Sequence, residues 1–163
     1  MRLVVIVDSQ FGNTEKIAEA IARGARAAGA EVELTRAADA DLPALVAGRV
    51  DLMAVGGPTV SRRMTDPLSR CLDELRPHAR ALPIATFDTR YRGSELLMGS
   101  AAKKASRELV RAGARLVVPE ESFFVVRAEA PRGQRTPPGL STLAEGEEAR
   151  AEAWGHGLVA AMG

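Results

Sequence analysis

Short runs of consecutive apolar residues alternate along this chain with longer stretches in which apolar positions recur every three or four residues. Residues 3–7, Leu-Val-Val-Ile-Val, form an unbroken apolar run, the mark of a strand buried on both faces. Behind it Ile17, Ala18, Ile21, Ala22 and Ala25 fall on one helical stripe, with Glu15, Lys16, Glu19, Arg23 and Arg26 on the other side. Gly29 is placed to end that helix, and EVELT at 31–35 predicts a second strand. Residues 35–48 are ambiguous between a loop and one short helical turn. Residues 52–55 predict a third strand, ended by Gly56 and Gly57.

The alternation continues to the end of the chain. Asp66 before Pro67 suits an N-cap and first helical position, and Leu68, Cys71, Leu72 and Leu75 make the apolar stripe that follows. Residues 82–88 predict a fourth strand. A helix carrying Ala101, Ala102, Ala105, Leu109 and Ala112 comes next, closed by Gly113. RLVV and SFFVV, interrupted by PEE, predict a fifth strand. The polar stretch 129–141 is read as a surface loop, and Ala151, Trp154, Leu158 and Ala161 share one face of a last helix.

Five strand-helix units in this order predict a single α/β domain over residues 1–163, a doubly wound parallel sheet with helices on both faces. In such sheets ligands sit beyond the carboxyl ends of the strands. The loops at 8–14, 56–65 and 87–94 all leave that edge.

Composition narrows the picture only a little. The chain has 163 residues and a formal net charge of +1, which gives no general electrostatic case for nucleic acid or an anionic membrane. One cysteine, Cys71, excludes an intramolecular disulfide and fits a reducing compartment. Its place in a helical stripe reads as a small core residue. The first apolar run is too short for a signal or a membrane span, so the expected location is cytoplasmic. His78 and His156 stand far apart without ligand companions, so no metal site and no catalytic side chain are assigned.

The most informative stretch is DSQFGNTEKIA, residues 8–18. A strand-to-helix loop offers free backbone N–H groups at the positive end of a helix dipole, which favours an anion. Ser9, Asn13 and Thr14 add donors and Gly12 allows close approach, although the same residues serve equally as plain caps. A P-loop is excluded because no Gly-Lys pair occurs, and a dinucleotide fingerprint because the loop has a single glycine. A phosphotransfer receiver is disfavoured by the lone Asp8 after strand 1 and by glycines ending strand 3.

Ser9, Gly12, Thr14, Ala18 and Ile21 fall in the spacing of the flavodoxin phosphate loop, and the chain resembles that family. DLMAVGGPTV at 51–60 is similar to its third strand and following loop, and the segment from Thr86 to Val118 to its fourth strand, second flavin loop and next helix. The likeness spans nearly the whole chain. It implies the strand order 2-1-3-4-5, for which flavodoxin is itself a standard example, and FMN as the cofactor. By motif position Ser9, Gln10, Phe11, Gly12, Asn13 and Thr14 would surround the phosphate. Pro58, Thr59 and Val60 would line one side of the flavin ring, with Asp88, Thr89, Arg90, Tyr91 and Gly93 on the other.

Val60 stands where an aromatic is common, leaving Tyr91 as the aromatic after strand 4 placed to stack. Arg62, Arg63, Arg90 and Arg92 near the ring loops read either as solvated charges or as a site for an anion. The implied function is electron carriage on a non-covalent flavin, to a redox partner protein or a small-molecule acceptor. Two alternatives stay open at this point: a small FMN-dependent NAD(P)H:acceptor reductase of the quinone type, and a flavin-free interaction module.

Overall fold

The computed structural model describes residues 1–129 and 140–163. Residues 130–139, most of the stretch read as a surface loop, lie outside the described residues. The chain runs β1 (Arg2–Val7), α1 (Asn13–Ala27), β2 (Glu31–Arg36), α2 (Leu42–Ala47), β3 (Leu52–Pro58), α3 (Asp66–Leu75) and β4 (Pro83–Tyr91). It continues with α4 (Glu95–Met98), α5 (Ala101–Arg111), β5 (Arg115–Leu116), β6 (Glu121–Arg127), β7 (Ser141–Leu143) and α6 (Glu147–Ala160).

The strands form one sheet in the order β2-β1-β3-β4-β6-β7, with β5 also paired to β4. All pairings are parallel except β6 with β7. The expected 2-1-3-4-5 order is therefore present, its fifth place shared by β5 and β6 where PEE breaks the strand. Among the described residues the sheet has seven strands, and with β5 and β6 together filling the fifth place, β7 is the addition to the five units. Ser141–Leu143 pairs antiparallel with Val125–Arg127 as β7, starting at the last residue of the stretch read as a loop. A three-residue strand with a polar neighbourhood carries no periodicity to find it by.

Apolar residues of the central strands point alternately to two cores. Val4, Ile6, Met53, Val55 and Ile84 meet Leu68, Leu72 and Leu75 of α3 and Leu109 of α5. Leu3, Val5, Leu52, Ala54 and Phe87 meet Ile17 and Ile21 of α1 and Ala151 and Leu158 of α6. The α1–α6 contact is backbone against backbone. A Cβ on Gly24 would collide with the Glu152 carbonyl, and one on Gly155 with the Ile21 carbonyl. Gly56 has a similar reason, since a Cβ there would strike the Phe87 ring.

Local signals mostly set the element ends. Asp41 caps α2, accepting from the Ala44 N–H at 3.1 Å, which resolves the ambiguous segment as a helix of under two turns. The start of α3 lies one residue earlier than Asp66-Pro67 predicts. Thr65 is its N-cap and Asp66 its first residue. Thr65 does not cap with its side chain, because its hydroxyl donates to Asp8 at the end of β1.

Candidate functional site

The order in which strands are added to the sheet reverses between the parallel neighbours β1 and β3, whose carboxyl ends open on the loop before α1 and on residues 59–65. This is the switch point at which doubly wound sheets bind ligands. A cleft of about 300 Å³ lies there, within the size range of small-molecule sites.

One end of the cleft is the start of α1. Gly12 holds the N-cap position at φ 82°, a left-handed conformation that a side chain would strain, and no side-chain hydrogen bond caps this terminus. Ser9 Oγ instead accepts from the Gly12 N–H at 3.1 Å and fixes the loop. The first amides of α1 have no intrahelical acceptor and carry the positive end of the helix dipole. Residues 9–14 add no charge of their own. Asn13 and Thr14 are buried as well as lining the cleft. Asn13 Nδ2 donates to Ser141 O and Oγ at 3.0 Å each, and Thr14 Oγ1 lies 2.7 Å from Thr89 Oγ1. These bonds tie the loop to β7 and β4.

The rest of the cleft is apolar and formed by β3, β4 and their loops. Pro58, Thr59 and Val60 line it on one side and Thr89, Arg90 and Tyr91 on another. Around its mouth Phe11, Val60, Tyr91 and Leu97 are 57%, 37%, 38% and 70% exposed. So many large apolar side chains left in water around one cleft are the usual mark of a ligand-binding groove. The arrangement offers an anion seat at one end and two apolar walls for a flat ring at the other.

Ten of the sequence-predicted residues line the cleft: Gln10, Phe11, Asn13, Thr14, Pro58, Thr59, Val60, Thr89, Arg90 and Tyr91. Ser9, Gly12, Asp88 and Gly93 do not. Asp88 is fully buried, and its Oδ2 accepts from Thr59 Oγ1 at 3.0 Å, Ser100 Oγ at 2.7 Å and the Ala102 N–H at 3.1 Å. One carboxylate thereby fastens the loop after β3 to the first turn of α5. Gly93 O accepts from Arg90 Nη1 at 3.2 Å. Phe87, near the loops in sequence, faces the opposite core, where it meets Trp154 edge-on at 6.1 Å.

Arg90 and Arg92 are not simply solvated. Arg90 is only 6% exposed, donates from Nε to Ser122 Oγ at 3.1 Å and lies 5.3 Å above the Phe124 ring, which Arg92 approaches to 4.8 Å. Such stacking holds a guanidinium against an aromatic face. The sequence reading missed Ser61, Arg62, Leu97, Met98, Val125 and Ser141 as lining residues. Ser61 and Arg62 lie inside a loop already singled out. Leu97 and Met98 sit on α4, a single turn too short to show a stripe.

A doubly wound α/β protein with an uncapped helix terminus and an apolar cleft at its switch point belongs to the nucleotide-cofactor class of fold. The family model for flavodoxin matches residues 5–154, and the chain belongs to the flavodoxin family. It is an FMN-binding electron-transfer protein. A flavodoxin from the domain Archaea superposes with a TM-score of 0.76 at 20% identity, covering 99% of each chain. Flavodoxin 1 from Bacillus cereus gives a TM-score of 0.75 at 19% identity, covering 99% of this chain and 97% of that one. The flavodiiron protein from Giardia intestinalis gives 0.73 at 20% identity, with this chain spanning 36% of its length. No curated protein sequence matches significantly. Among the described residues no helix is long and apolar enough to cross a membrane.

Proposed function

We propose that the cleft at the carboxyl ends of β1, β3 and β4 is the FMN site, and that this cytoplasmic protein exchanges electrons there with a partner protein. The observation that carries the reading is the juxtaposition, in one groove, of an uncapped helix start, entered through the uncharged residues 9–14, and an exposed apolar rim. The donor chemistry fits a phosphate monoester. The backbone amides of residues 10, 11, 13 and 14 and the Thr14 hydroxyl would hold it, with Gly12 giving the backbone its turn, and Ser9 and the Asn13 side chain fixing the loop through the Gly12 N–H and Ser141. The apolar walls fit an isoalloxazine ring. Val60 with Pro58 and Thr59 would cover one face and Tyr91 with Thr89 and Arg90 the other.

Bound there, FMN supplies reversible electron-accepting chemistry. The protein's part is to bind and orient. Asp88 acts as a positioning residue by fixing Thr59, and Arg90 is held by Ser122, Gly93 and Phe124 at the cleft wall. No side chain needs to move a proton for this role.

The direct test is titration of the protein with FMN, followed by visible absorbance and flavin fluorescence. One flavin per chain with a perturbed spectrum is expected. An unperturbed spectrum at micromolar protein would overturn the reading.

A further inference from the structure

Beside the cleft, between α3 and α5, runs a second groove of about 460 Å³. Arg63, Lys104, Arg107 and Arg111 line it with Asp66 and Glu108. All four cations are exposed, and none has a carboxylate partner among the described residues. Glu108 is already neutralised by Arg76 at 2.8 Å. Lys104, Arg107 and Arg111 follow the i, i+3, i+7 spacing of one helix face, a stripe about 10 Å long at 1.5 Å per residue. The imbalance extends beyond the groove. Residues 59–80 and 100–115, which carry α3 and α5, hold ten of the 22 Lys and Arg but only four of the 21 Asp and Glu. A chain of net charge +1 thus has one distinctly basic side.

The groove is joined to the cleft by its backbone. Val60, in the cleft wall, and Arg63, in the groove, exchange hydrogen bonds in both directions at 2.9 Å. Ser61 and Arg62 turn between them with φ of 47° and 68°, and Gly99 leaves room for this turn, since a Cβ there would approach Arg62 Cα to 2.8 Å.

From this we propose that the α3–α5 groove is the docking surface for an acidic redox protein, placing its electron-exchange centre against the Val60 side of the cleft. The proposal rests on the FMN reading above. The spacing of the cations favours a protein over a small anion. They are spread along a helix, exposed, and not held by any buried polar side chain, so they do not converge on one phosphate. A row of unpaired surface cations instead attracts a surface of spaced carboxylates and steers its approach.

The test uses the FMN-loaded protein, with its visible flavin spectrum recorded first, so that failure of cofactor binding is separated from failure of docking. Binding is measured calorimetrically against two probes, an acidic plant-type ferredoxin and the basic cytochrome c, from 20 to 500 mM salt. Tighter binding of the ferredoxin is expected, weakening steeply with salt. The triple variant Lys104→Gln, Arg107→Gln, Arg111→Gln should lose at least tenfold in ferredoxin affinity and flatten the salt dependence, while keeping its flavin spectrum. Arg23→Gln, on α1, should change neither. Preference for cytochrome c, or unaltered ferredoxin binding by the triple variant, would overturn the proposal. So would saturable micromolar binding of NADP⁺ that the triple variant loses, which would make the groove a nucleotide pocket.

Discussion

Three single residues set what the site and core tolerate. Asp88 Oδ2 gathers three donors while buried, so Asp88→Asn keeps an acceptor oxygen but removes the charge that strengthens all three bonds, and buries an Nδ2 donor where Oδ1 has no hydrogen-bond partner among the described residues. Bonds to a charged group are worth roughly 1.5–3 kcal/mol each, and a loss on the order of 3 kcal/mol in urea unfolding is expected. In the proposed FMN site Tyr91 would contribute through its ring face. An aromatic face adds roughly 0.5–1.5 kcal/mol beyond its area, so Tyr91→Ala should weaken FMN binding at least tenfold in a fluorescence titration. Cys71 is buried in the α3 stripe, and burial pushes its thiol from 9.0 up to about 11. The folded state therefore keeps a proton that the unfolded chain loses first. This contribution is complete below pH 9 and is lost as pH rises from about 9 to 11. Native protein at pH 8 should leave a disulfide thiol reagent unreacted, whereas urea-unfolded protein should react fully.

The elements were legible to the degree that each carried its own periodicity. The stripe Ile17, Ala18, Ile21, Ala22, Ala25 is wholly buried in α1, and Leu68, Cys71, Leu72, Leu75 wholly buried in α3. Of the pieces without periodicity, α4 is a single turn closed on Ser94, and β7 is held by contacts distant in sequence, such as the Asn13 bonds to Ser141. Composition alone also hides the purpose of the helical glycines, which weaken a helix in isolation. Gly24 and Gly155 are explained only by the backbone contact of α1 and α6. Gly155→Ala should accordingly cost about 1–3 kcal/mol or more from overpacking. Gly157, two residues on and on another face of α6, has nothing within 4 Å of an added Cβ. There the same change should stabilise by roughly 0.5–1 kcal/mol through helix propensity. The two variants, compared by chemical unfolding, separate packing from propensity on one helix.

At the scale of the whole molecule the proposed phosphate seat and ring cleft lie on different elements, and only the folded sheet brings them together. The family resemblance was legible at the first loop because Ser9, Gly12, Thr14, Ala18 and Ile21, running from the loop into α1, keep a fixed spacing; the other two segments were legible only as loops in the right order. Which residues line the cleft and which stand behind it depends on β4 running on through Tyr91, which put Asp88 inside the sheet. Because the site exists only in the folded state, FMN must stabilise the fold by mass action. At a hundredfold excess over Kd the gain is about 2.7 kcal/mol. For a chain of this size 1 kcal/mol moves Tm by roughly 2–4 °C, so a rise of roughly 5–11 °C is expected by calorimetry. Riboflavin presents the same ring without the phosphate and leaves the start of α1 unanswered. Given at the same concentration, it should move Tm by less than half as much. Equal shifts would mean that the ring cleft alone binds, and that residues 9–14 hold no phosphate.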